Sequence, residues 1–230
     1  MRKILITREE NQAIRRHAIE KLGISEEAIY ENEASKILRY IKNVEEASNT
    51  VFSIFCGTNS NGTVGLVIAR QLLALDKKVL VYILGDLNEG SSIFNNSLET
   101  LKKMKANVIK LDTIGELGDL SDNLDKSTYL IDAIAGSEFD RAFEGVTDFV
   151  IESINNSRKY VISVDMPSGM NATNGDVATV NINPDLIVTF LHMKKGLEQT
   201  TRLIGTKIVV ENNGIPLESS YAVVPFRPNY

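Results

Sequence analysis

The chain has one cysteine, Cys56, only two histidines, His17 and His192, and no surplus of positive charge. Each shortage excludes something. A lone cysteine forms no intramolecular disulfide and no cysteine-rich zinc site, and it fits a reducing compartment, the cytoplasm. The two histidines stand too far apart in sequence to suggest a metal centre. A formal net charge of −5 argues against nucleic acid as the main partner, because neutralising phosphates needs a basic face. The seven tyrosines and eight phenylalanines are dispersed and make no stacking platform for single strands. No apolar run approaches the roughly 18 residues of a membrane-spanning helix, so no membrane partner is expected. The opening "MRKILITREENQ" lacks the long apolar core of a secretory signal.

What is present is an ordinary globular composition: 230 residues, 43% hydrophobic and 24% charged. No linker, low-complexity tract or internal repeat divides it, so one domain over 1–230 is expected. Residues 7–43 carry helical periodicity in two stretches. Thr7 caps the first and Gly23 stops it; Ser25 caps the second. From residue 51 short apolar runs alternate with helical periods. Strands are predicted at 51–55, 79–84, 107–111, 128–134, 160–165, 186–190 and 207–210. Helices are predicted at 64–75, 91–104 and 147–157, with a weak helical signal in "TIGELGDLSDNL". Continuous apolar strands separated by helices predict an α/β fold, a Rossmann-like three-layer sandwich. Its central sheet would be mostly parallel and buried on both faces, with the two N-terminal helices packed on it.

Ligands of such sheets bind beyond the carboxyl ends of the strands, and three strand ends here carry polar or glycine-rich punctuation. The first is "FCGTNSNGTVG" (55–65). Its spacing is neither GxGxxG nor a Walker loop, and by composition alone it reads as a tight turn sooner than a phosphate cradle. The second is "LIDAIAGSEFDR" (130–141), where Asp132 sits inside an apolar strand. Such a carboxylate is paired, hydrogen-bonded or bound to a cation, and capping of nearby N–H groups explains it equally well. The third is "VISVDMPSG" (161–169), where Asp165 ends a strand, Pro167 sets the turn and Ser168 closes it. Asn61, Asp132 and Ser168 are hard oxygen donors that together suit a hard cation, or simply a capped turn. Lys194, after "LIVTF", pairs with Asp165 or with a phosphate, or is merely solvated.

Taken in order, "GLVIARQL", "LIDAIAG…FDRAFEG", "VISVDMPSGMNATNGD" and "DLIVTFLHMKKGL" resemble the NAD(P)H-hydrate epimerases, the YjeF N-terminal-like family. The likeness covers nearly the whole chain and is most specific in "DMPSG" with its downstream "TNGD". It implies an isomerase that interconverts the R and S forms of hydrated NADH or NADPH by acid/base-assisted inversion at C6, so that a separate dehydratase can restore the cofactor. It also implies a potassium ion held by Asn61, Asp132 and Ser168, and in many members a homodimer. Carried over residue by residue, it puts substrate against Ser60, Asn61, Gly62, Thr63 and Val64. It adds Gly136, Ser137, Glu138, Phe139, Asp140, Arg141 and Ala142, with Asp165 as acid/base and Lys194 beside it. The family loop GPGNNGGDG falls on 57–65, so Asn59, Ser60, Thr63 and Val64 are departures, as is Glu138 for a usual glycine. Those departures keep a rival open, a nucleotide- or protein-binding module of the same fold without turnover. A dehydrogenase is weaker still, because the first loop lacks the dinucleotide fingerprint.

Overall fold

A computed structural model describes residues 4–41, 50–139, 142–200, 203 and 205–224. The chain opens with a two-residue strand, β1 (Leu5–Ile6), and two helices, α1 (Arg8–Glu20) and α2 (Glu26–Leu38). Both helix starts follow from side-chain capping. In α1 the Glu10 N–H donates to Thr7 Oγ1 (3.2 Å) and the Thr7 N–H donates to Glu10 Oε2 (2.9 Å), a reciprocal box. In α2 the Ala28 N–H donates to Ser25 Oγ (3.2 Å). The helical reading over 7–43 holds as two helices, the second ending at Leu38 with a turn over 39–41; residues 42 and 43 lie outside those described.

Seven strands then form one all-parallel sheet: β2 (Val51–Gly57), β3 (Lys78–Leu84), β4 (Asn107–Leu111), β5 (Tyr129–Ala133), β6 (Tyr160–Val164), β7 (Leu186–Phe190) and β9 (Lys207–Glu211). Between them run α3 (Ser60–Ala74), α4 (Ser92–Lys103), α5 (Leu120–Lys126), α6 (Val146–Asn156) and α7 (Lys195–Gln199). A two-residue strand, β8 (Met193–Lys194), pairs in parallel with β1, and α8 (Leu217–Val223) closes the described chain.

The spatial order is β4-β3-β2-β5-β6-β7-β9. The chain winds outward from β2 to β4, then jumps back to the other side of β2 and winds the opposite way. The reversal falls between β2 and β5, which leaves a crevice beyond their carboxyl ends where connections diverge. One face of the sheet packs Phe52, Ile54, Ile131, Ile162 and Val188 against α2, α3 and α4. The other packs Phe55, Tyr82, Leu130 and Val161 against α5 and α6. Burial on both faces is why these strands read as continuous apolar runs.

The two N-terminal helices divide their work. Helix α2 lies on α3 and reaches β7, while α1 packs on α8 around a separate small core of Ile6, Ile14, Ala18, Ile29 and Ile215. Helix α1 thereby comes to stand over the strand ends. Among the described residues no helix is long and apolar enough to cross a membrane.

Candidate functional site

Helix α3 begins four residues earlier than its apolar periodicity predicts, because Asn59 caps it. The Gly62 N–H donates to Asn59 Oδ1 (2.9 Å), and Asn59 Nδ2 donates to the Ile134 carbonyl (2.7 Å). One side chain thus starts the helix and ties the ends of β2 and β5 together. The expected loop over 57–65 is therefore mostly first-turn helix. Gly62 is required there, since a Cβ on it would stand 1.7 Å from the Gly57 carbonyl oxygen. Thr63 is fully buried and donates from Oγ1 to the Asn59 carbonyl (3.0 Å), so it secures the turn and lines neither cavity at this edge.

Two cavities flank this helix start. The larger, of about 520 Å³, lies in the crevice between β2 and β5 and is walled by Gly57, Thr58, Asn59, Ile134, Phe139 and Ala142, among others. The smaller, of about 40 Å³, lies under α1 and brings together Ser60, Asn61, Val64, Ser137, Asp165 and Arg15. Ala135 and Glu138 wall both. Gly136, Ser137 and Glu138 form a short 3₁₀ turn after β5. Gly136 has φ +58°, and a Cβ on it would come within 2.5 Å of the Asn61 amide. Asp140 and Arg141 lie outside the described residues.

Asp165 follows β6 and has φ +64°. The Met166 N–H donates to the Val164 carbonyl (2.8 Å), closing a three-residue turn with Asp165 at its apex. A second turn of this kind centres on Leu191, φ +69°, where the His192 N–H donates to the Phe190 carbonyl (2.8 Å). These strained turns end neighbouring strands and aim Asp165 and Lys194 at each other. Lys194 Nζ donates to Asp165 Oδ1 (2.5 Å), Thr189 Oγ1 (3.0 Å) and the Phe190 carbonyl (2.9 Å). Its three protons are committed, its side chain is 0% exposed, and it lies behind Asp165 and off the cavity walls. Oδ1 of Asp165 also accepts from Thr189 Oγ1 (2.9 Å), which leaves Oδ2 for the cavity. Burial pushes the Asp165 carboxyl up, but the Lys194 charge and bond, with Ser137 and Thr189, outweigh it and hold the group below the ordinary carboxylate range.

Asp132 is the opposite case. Its carboxylate accepts from Ser168 Oγ (2.5 Å), the Ser168 N–H (2.9 Å), Ser163 Oγ (2.7 Å) and the Ile134 N–H (3.2 Å). It is 1% exposed, and no lysine or arginine among the described residues pairs with it. Burial pushes its carboxyl up despite those bonds. Close by, Ser168 Oγ accepts from the Ala135 N–H (2.9 Å), and buried Asn61 Nδ2 has no partner. The buried Asp132 carboxylate without a counter-ion, the Ser168 hydroxyl and the unpartnered amide of Asn61, which lies against Gly136 one residue after the Ala135 N–H that Ser168 accepts, are oxygen donors of the kind a hard cation takes. Among the described residues no group of three or more His, Cys, Asp or Glu side chains could hold a metal.

Of the most specific motif, "DMPSG" supplies Asp165 and Ser168, while the downstream "TNGD" has a supporting role. Asn171 Oδ1 accepts from the N–H groups of Thr173 (2.8 Å) and Asn174 (3.2 Å), and the Gly196 N–H donates to the Ala172 carbonyl (2.8 Å). The "TNGD" turn so clamps the segment that carries Lys194. Among the contributors that the sequence reading did not assign as wall or frame are Asn59, Thr189, Arg15 and Glu33. Asn59 had a signal, an asparagine three residues before a helical amide, and Thr189 another, a polar residue in a buried strand. Arg15 and Glu33 had none.

Residues 26–196 match the family model described as YjeF-related protein N-terminus. The chain is 34% identical to an NAD(P)H-hydrate epimerase of Anaerococcus prevotii over 92% of its length and 95% of that protein's. It is 30% identical to one of Nitrosopumilus maritimus, over 88% and 92% respectively. To the bifunctional NAD(P)H-hydrate repair enzyme of Thermofilum pendens it is 33% identical over 76% of its own length, but it spans only 33% of that longer protein. The crystal structure of yeast ynu0 (YNL200c) superposes with a TM-score of 0.81 over 99% of this chain and 97% of that one at 18% identity, a likeness of fold.

Proposed function

The chain belongs to the YjeF-related protein N-terminus family, and from that premise we propose that it is an NAD(P)H-hydrate epimerase, interconverting the R and S forms of hydrated NADH or NADPH. The observation that carries the reading is Asp165. One carboxylate oxygen is anchored by Lys194 and Thr189, and the other is left for a small pocket beside a larger one. The larger cavity at the strand crossover takes the dinucleotide with the start of α3 against its phosphates, and the damaged ring abuts the small pocket across Ala135 and Glu138, which wall both.

Asp165 is ionised at neutral pH, so it enters the reaction as a base. A solvent proton carries the C6 hydroxyl away as water, and Asp165 accepts on Oδ2 the proton of the water that adds to C6 from the other face; in the opposite direction the protonated carboxyl returns that proton to the departing hydroxyl. The positive character that develops on the ring nitrogen when hydroxide departs is met by the carboxylates of Asp165 and Glu138. Lys194, with no proton to spare, is the positioning residue that keeps Asp165 charged and aimed. Asn61, Asp132 and Ser168 would hold the potassium ion, which supplies positive charge against the buried Asp132 carboxylate. The separate dehydratase that consumes one epimer is the expected pathway partner, and pairing of two copies into a homodimer is read by light scattering. The cytoplasm, where the buried thiol of Cys56 stays reduced, is the compartment that suits the chain.

The test is direct. Asp165→Asn keeps the size of the side chain and removes the base, and R/S interconversion should fall about 10²–10⁴-fold toward the spontaneous rate. Wild-type rates in that variant would refute the role. A wild-type chain that is thermally stabilised by the hydrate without interconverting it would establish the binding module instead.

A further inference from the structure

We propose that Arg15 is a substrate-positioning residue that donates from Nη2 to an oxygen acceptor on the nicotinamide-mononucleotide half of the substrate, an inference that rests on the epimerase reading. Arg15 lies on α1, and its guanidinium is built into the small pocket. Nη1 donates to Glu33 Oε1 (2.5 Å), and that oxygen also accepts from Asn213 Nδ2 (2.8 Å). Glu33 is 3% exposed, so the acceptor is itself immobilised. The guanidinium carbon stands 5.4 Å from the centroid of the Tyr30 ring. With its plane set by these contacts, the other amino group, Nη2, is buried and has no partner.

A charged donor buried without an acceptor is costly, and proteins keep such groups where a ligand completes them. The pocket that Arg15 walls is the one that holds Asp165. Burial pulls the guanidinium's pKa down, but the charge and hydrogen bond of the Glu33 carboxylate, with the charge of Asp165, outweigh it, so the donor stays charged. Among the described residues that wall the two cavities, Arg15 is the one side chain with a permanent positive charge. Two oxygens of the substrate offer the matching chemistry, the carboxamide carbonyl and the nicotinamide-side phosphate, and both suit a guanidinium.

Arg15→Met and Arg15→Lys are assayed with two substrates: the hydrate of NADH, and the hydrate of dihydronicotinamide riboside, which has no phosphate. With hydrated NADH, Arg15→Met should raise KM about tenfold or more while kcat moves by less than about threefold, and Arg15→Lys should recover part of the loss. If the KM penalty vanishes with the riboside hydrate, the acceptor is the phosphate; if it persists, the acceptor is the carboxamide. An unchanged KM for hydrated NADH overturns the proposal. So does a joint loss of kcat and melting temperature that lysine does not relieve, which marks Arg15 as structural. Calorimetric binding of each hydrate is measured alongside. A wild type that binds hydrated NADH without turning it over overturns the epimerase reading alone, and the ratio of dissociation constants between wild type and Arg15→Met then decides the contact. A wild type that neither binds nor turns over the hydrate overturns both.

Discussion

Asp165 shows how much one residue carries. An aspartate at φ +64° costs on the order of 1 kcal/mol or more, and the strain is held by the turn, by the Asp165 N–H donating to the Val188 carbonyl (2.8 Å), and by the bond to Lys194. Removing that lysine leaves a buried carboxylate without its cation, so Lys194→Met should lose about 3–5 kcal/mol in urea unfolding. The same change should move activity. The Asp165 carboxyl lies below its ordinary range because Lys194 outweighs burial, so without Lys194 burial prevails and the pKa rises. The acid limb of the pH–rate profile should therefore shift to higher pH in Lys194→Met. In the wild type the sign is the usual one for a depressed carboxyl: the contribution to stability is full above the unfolded value of about 3.9 and is lost as pH falls through the folded pKa.

At the scale of an element, the start of α3 is where the departures from the family loop fall. Asn59 bonds forward to Gly62 and sideways to Ile134, replacing flexibility by a cap and a cross-tie. Asn59→Ala should cost about 1 kcal/mol for the lost cap and more for the Ile134 carbonyl it leaves bare, read as a lower thermal midpoint. Gly62→Ala should be worse, because the new Cβ would overlap the Gly57 carbonyl oxygen and push α3 off the end of β2. Val64 is buried at 1% and packs into the core on that face while also walling the small cavity, so the helix accommodates the apolar side chain and the pocket gains an apolar wall where the family loop has a carboxylate.

At the scale of the whole molecule, the N- and C-terminal elements close over the site through paired contacts. Helix α1 lies against α8, where His17 Nδ1 meets Ser219 Oγ (3.2 Å) and His192 Nε2 meets Ser220 Oγ (2.8 Å). Burial first, and then the charge of Lys194, hold the His192 pKa below its ordinary value near 6.5. An unfolded chain takes up that proton more readily, so stability should decline as pH drops below about 6.5, and His192→Gln should flatten the decline in denaturant titrations. What the sequence determined by itself was whatever local chemistry dictates. The caps at Thr7 and Ser25, the apolar runs of a sheet covered on both faces and the polar strand ends at Asp132 and Asp165 are all written within a few residues of one another. What only the tertiary structure decided was order and facing. The reversal between β2 and β5 that opens the crevice, the burial of Lys194 behind Asp165 and the meeting of Arg15 with Asp165 in one pocket beneath α1 join segments up to 150 residues apart. No spacing in a linear chain encodes which of two equally apolar strands becomes a neighbour; packing of the whole core selects it.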